Sequence, residues 1–177
     1  LVLFSSSYPQ LNSSSTPEEV NTIAITALEE KRYFEFASLM HPDALMKMRD
    51  FANLAVSAFE SDIEVLNIFG ADDTAEFNDM SDTSITANFL KVVMKNINKQ
   101  LTIYDFDSKI LGSVKEGEDT IHIVTRNKMI AKEFTVSTTD ISSLKRSPVG
   151  WRMLLGEEIE AFMTGMRMGI DSKNNLK

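Results

Sequence analysis

The stretch LTIYDFDSKILGSVKE, residues 101–116, is where the chain changes its period. Tyr104, Phe106, Ile110 and Val114 share one parity, which predicts a long strand with an irregularity near Asp107-Ser108. Glu116-Gly117-Glu118-Asp119 is a turn, and Thr120-Ile121-His122-Ile123-Val124-Thr125 is β-branched as strands are. A third strand is expected over about 130–145, with Phe134 and Val136 on one face. Ser147-Pro148-Val149-Gly150 then turns the chain into a fourth, Trp151-Arg152-Met153-Leu154-Leu155. Trp151, Met153 and Leu155 share a parity and should face the covered side, leaving Arg152 outward and Leu154 as the exception. Strands joined by such short turns pair antiparallel.

Between residue 16 and residue 100 the elements that can be read are helices. Thr16-Pro17-Glu18-Glu19 carries a capping box with Pro at the first helical position, and Val20, Ile23, Ala24, Ala27 and Leu28 make one apolar stripe. The octet Tyr33–Met40 suits a short helix. Pro42 disfavours helix at His41 and opens a new helix to about residue 60, with Leu45, Met48, Ala52, Ala55 and Phe59 as its stripe. Val65–Phe69 is apolar and stops at Gly70. A helix over 83–98 places Ile85, Phe89, Val92, Val93 and Ile97 on one side. After the strands, Glu157–Ile170 has helical spacing at Ile159, Phe162, Met163, Met166 and Ile170. Helices first, strands next and one helix last predict an α+β fold: N-terminal helices on a four-stranded antiparallel sheet, plus a C-terminal helix.

The length of 177 residues suits one domain, expected over 17–170. Residues 1–16 read as a flexible lead-in or a signal-peptide remnant, because Leu1-Val2-Leu3-Phe4 before Ser5-Ser6-Ser7 matches part of an export signal. Export to the periplasm or exterior is the matching expectation, with the cytoplasm as the alternative. Residues 171–177 read as a polar tail. The net charge of -8 makes nucleic acid a poor partner. All of that charge lies in residues 60–82, which hold eight acidic residues and no Lys or Arg. That segment lacks a calcium-loop pattern. With no Cys and only His41 and His122, thiolate chemistry and a three-histidine centre are out of reach, so no metal or cofactor is expected. No run approaches the ~18 apolar residues of a membrane span.

The capped first helix, the Tyr-Phe-rich second piece, His41-Pro42-Asp43-Ala44-Leu45, the Ile68-Phe69-Gly70 stop and the closing Gly150-Trp151-Arg152 strand resemble the nuclear transport factor 2-like superfamily over residues 17–156. The resemblance implies a curved sheet wrapped on helices as a cone, with a pocket on its concave face. It also implies either a non-catalytic module binding a small apolar ligand or a protein partner, or a cofactor-free isomerase, dehydratase or hydrolase like the ketosteroid isomerases. A homodimer through the sheet would fit the same resemblance.

Tyr33, His41, Asp43, Tyr104, His122 and Trp151 are the candidates for that pocket. His41 and Asp43 could work as an acid–base pair, since histidine titrates nearest neutrality. Asp43 equally suits the positive end of a helix. His122 contacts a ligand only if its parity faces inward, and Tyr104 could donate to a bound carbonyl or simply pack in the core. Asp105 and Asp107 should lie together on the solvated face. The Met-rich last helix is core filling or an adaptable binding face, weakened by Gly165 and Gly169.

Overall fold

The computed structural model describes residues 14–59, 62–100, 103–131 and 134–174, with side chains at 97–100, 103–106, 131 and 170–174 left aside. Most of the expected lead-in and the last three residues of the expected tail fall outside this set, as does the side chain of Tyr104.

Six helices precede the sheet: α1 (Pro17–Glu29), α2 (Tyr33–Ser38), α3 (Pro42–Ala58), α4 (Ile63–Phe69), α5 (Thr74–Asp79) and α6 (Asp82–Gln100). The sheet is β1 (Ile103–Glu116), β2 (Thr120–Ala131), β3 (Thr135–Ser147) and β4 (Gly150–Met153), followed by α7 (Glu157–Asn174). The strands are antiparallel in the order β1-β2-β3-β4. This is the expected α+β architecture, with its C-terminal helix.

Local chemistry sets the helix ends. The capping box of α1 forms: Thr16 Oγ1 accepts from the Glu19 amide at 3.2 Å, and Glu19 Oε2 accepts from the Thr16 amide at 2.8 Å. The helix α4 ends where Gly70 adopts φ 84°, and Asn88 Nδ2 donates to the Phe69 carbonyl at 3.0 Å. A side chain at Gly70 would collide with Asn88 as well as strain the backbone.

The core lies between the helices and one face of the sheet. Val20 and Ala24 of α1, Leu39, Met40, Met48 and Phe51 join Ile121, Ile123, Leu144 and Met153 in one buried cluster. Phe51, Phe69, Phe77 and Phe89 add a set of mostly edge-to-face rings, with centroids 5.8–6.4 Å apart. Phe162 brings α7 onto that set, 6.2 Å from Phe51 and 6.3 Å from Phe89. The free edge of β4 is closed by Met40, which forms a parallel bridge to Met153. There the His41 amide donates to the Met153 carbonyl at 2.7 Å, and the Met153 amide donates to Leu39 at 2.9 Å.

Several expectations need correction. The register breaks of β1 lie between Ile103 and Asp105 and between Ile110 and Gly112, not at Asp107-Ser108. The second break inserts Leu111 as an extra residue, so Val114 changes face and is exposed. Phe134 precedes β3 and is exposed rather than sharing a strand face with Val136. In α3, Phe51 and Val56 are buried while Phe59 is exposed at its end. The helix α5, which the sequence reading left out, forms because Asp73 caps it at the Glu76 amide (2.8 Å) and Phe77 drops into the aromatic cluster. Finally, α7 continues to Asn174, into the segment expected to be a polar tail.

Candidate functional site

His41 and Asp43 sit where the chain leaves the edge of β4 and enters α3. His41 is buried, and its Nδ1 accepts from the Asp43 amide at 3.1 Å. The Asp43 carboxylate reaches Lys145 of β3 at 3.0 Å. That hydrogen bond, aided by nearby positive charge, holds the Asp43 carboxyl below its ordinary range and raises Lys145. The imidazole therefore acts as a helix cap and the carboxylate as one half of an exposed ion pair.

Trp151 has the expected parity. It lies half-buried against the core, beside buried Met153 and Leu155, and the Arg146 guanidinium stands 5.3 Å over its ring. Arg152 faces the other way, paired in register with Lys145, and partial burial pushes its guanidinium down.

His122 points to the opposite side of the sheet from Ile121 and Ile123. Its Nδ1 lies 2.8 Å from Ser143 Oγ, and its Nε2 lies 2.8 Å from Glu116 Oε2. Tyr33 is on the other side of the molecule, where the start of α2 and the face of α6 enclose an open groove of about 1040 Å³.

The six candidates therefore do not line one cavity. His41, Asp43 and Trp151 gather at the β4 edge, His122 is on the outer face, Tyr33 is in a helix–helix groove, and the Tyr104 side chain is outside the described residues. Near β4 the inward side chains Leu144, Met153 and Leu155 belong to the buried core.

A polar cluster that the sequence reading missed lies on the inward parity at the other end of the sheet. Ser108 Oγ donates to Asn127 Oδ1 at 2.7 Å, Asn127 Nδ2 donates to Asp140, and Thr138 Oγ1 donates to the same carboxylate at 3.2 Å. Ser108 also borders a cleft of about 220 Å³ between α1 and β1. The signal that could have found it is the run of small polar residues in β3, Ser137-Thr138-Thr139-Asp140, which no apolar alternation explains. Each member is satisfied by its neighbours, and Asp140 is exposed, so the cluster joins strands rather than presenting an activated acid or base.

The outer face is different. No described helix lies over the rows Val114–His122–Ser143 and Gly112–Val124–Ile141. Val114 is 61% exposed and Ile141 62%.

Neither a family model nor a curated protein sequence matches this chain. Among solved structures it is similar to a chain from Thiobacillus denitrificans ATCC 25259 assigned by name to the calcium/calmodulin-dependent protein kinase type II association domains. The two share 12% identity with a TM-score of 0.46, over 84% of this chain and 94% of that one. No described helix is long and apolar enough to cross a membrane.

Proposed function

We propose that this chain is a non-catalytic interaction domain of the nuclear transport factor 2-like type, and that it pairs with a second copy through the outer face of its sheet. The apolar patch of exposed Val114 and Ile141, with partly buried Val124 beside them, carries the reading. Large aliphatic side chains at the middle of a sheet face gain about 1.5–3 kcal/mol each when fully covered, and no described helix covers them here. Of the two binding modes expected from the sequence, a small apolar ligand and a protein partner, this face favours the second. An acid–base enzyme needs a carboxylate and a donor together in an apolar site. Asp43 is tied to Lys145 and Asp140 to Asn127, both in polar surroundings, which supports binding over catalysis.

Sedimentation equilibrium tests the pairing. At low protein concentration the wild-type chain should have twice the monomer mass, and Ile141→Asp should return it to the monomer with unchanged circular dichroism. A wild-type chain that stays monomeric at high concentration overturns the reading.

A further inference from the structure

The groove between α2 and α6 is apolar on its floor and basic on its rim. Tyr33, Phe34 and Ala87 line the floor, and Phe34 is 61% exposed. Lys31, Lys91 and Lys95 stand around it. Lys91 and Lys95 are one turn apart on α6, and none of the three lysines has an ion-pair partner among the described residues. Arg32, beside them, is already engaged by Glu30 and Glu35. Glu35 also lines the groove but is engaged by Arg32, so three cations stand uncompensated around its aromatic floor.

The complementary shape lies elsewhere on the same chain. At the start of α4, Ile63 is half-exposed between two exposed acids, Asp62 and Glu64. Asp62 caps the helix by accepting from the Glu64 amide at 2.8 Å, so the backbone that presents Ile63 is held in place. Ile63 is not part of the buried core. It opens the segment that carries the whole net charge of the protein.

The geometry points to a second contact between copies, in which the Asp62-Ile63-Glu64 knob of one chain docks in the α2–α6 groove of another. Ile63 covers Phe34 and Tyr33, and the two carboxylates meet Lys91, Lys95 and Lys31. Knob and groove are different patches, so this contact is distinct from the like-to-like pairing of sheet faces proposed above and does not depend on it. A chain using both contacts builds assemblies larger than a dimer. The interface is small, so the contact is weak and needs high protein concentration.

The test is complementation in full-length chains that all carry Ile141→Asp, which removes the sheet contact if there is one. One variant adds K91E/K95E, which spoils the groove and keeps the knob. The other adds Ile63→Asp, which spoils the knob and keeps the groove. Circular dichroism and the unfolding midpoint check that both fold. The Ile141→Asp parent should self-associate with concentration, and each variant alone should sediment as a monomer. A fluorescently labelled K91E/K95E chain should then co-sediment with unlabelled Ile63→Asp chain but not with unlabelled K91E/K95E chain. A parent that never self-associates, variants that still do, or a mixture that fails to complement each overturns the proposal. Because Ile141→Asp is common to all samples, an incorrect sheet reading shows separately, as an unchanged wild-type mass on adding that substitution.

Discussion

The two faces of the sheet are built from alternate residues of the same strands, yet they meet different surroundings. Ile121, Ile123, Leu144 and Met153 point inward and are all buried, Ile123 and Leu144 completely. Val114 and Ile141 point outward and are more than half exposed. The inner face is closed by the chain itself, through α1 and the segment around Met40. The outer face has aliphatic centres and no cover among the described residues. Stability therefore resides on one parity and the proposed association would use the other, so substitutions three residues apart in β3 can separate the two.

Leu144→Ala should have the largest effect. It removes most of a fully buried side chain at the centre of the inner face and should cost about 2–5 kcal/mol in denaturant unfolding. Ile141→Ala, measured at concentrations low enough to keep the chain monomeric, should change the same quantity by no more than ~0.5 kcal/mol. Equal losses from both would erase the contrast between the faces. Trp151 tests the border of the inner face. Because it is only half-buried, Trp151→Ala should fall below the ~3–5 kcal/mol of a fully enclosed aromatic, at about 2–3 kcal/mol. As the sole Trp, its emission should lie between buried and solvated values; a fully red spectrum with free iodide quenching would remove it from that border.

The inner face was largely legible in the sequence because burial leaves a periodic trace. The parity of Trp151, Met153 and Leu155 follows from alternation alone, and the capping box at Thr16 and the break at Pro42 are local chemistry. The outer face was not legible, because one inserted residue reverses every assignment beyond it. Leu111 is that residue, and no alternation over 104–114 reveals it, since Val114 is apolar on either face. The site suffered in the same way. Tyr33, His41 and His122 are chemically versatile side chains, but only three-dimensional placement shows that they belong to three separate regions. The helix α5 was hidden because its one buried residue, Phe77, is too little for a periodic signal.

Thr16→Ala probes a part of the inner side that was read correctly. Losing the cap should destabilise the domain by about 1 kcal/mol, since α1 packs directly on β2 and β4. A change below a few tenths would mean that burial of Val20 and Ala24 holds α1 without its cap.

The smallest effect belongs to Asp43 and Lys145, the ion pair that ties the start of α3 to the sheet. Both groups are substantially exposed, so solvent screens the pair and it contributes little at neutral pH. Its signature is in the shape of the pH profile. The folded-state pKa of Asp43 is depressed below its ordinary 3.8, mainly by the hydrogen bond from Lys145. Its contribution is therefore complete above that ordinary value and is lost as pH falls through the lower, folded-state value. Lys145 is raised above its ordinary 10.5 by the same bond, so its contribution is complete below that value and is lost as pH rises through the folded-state one. Asp43→Asn should lower the melting temperature slightly on the plateau between about pH 4 and pH 10 and converge with the wild type at both ends, so that its profile is the flatter. Lys145→Met should flatten the same two limbs. If Asp43→Asn lowered the plateau and Lys145→Met did not, the carboxylate would be contributing at the N-terminus of α3 rather than through the sheet, and the bond across to β3 would be incidental.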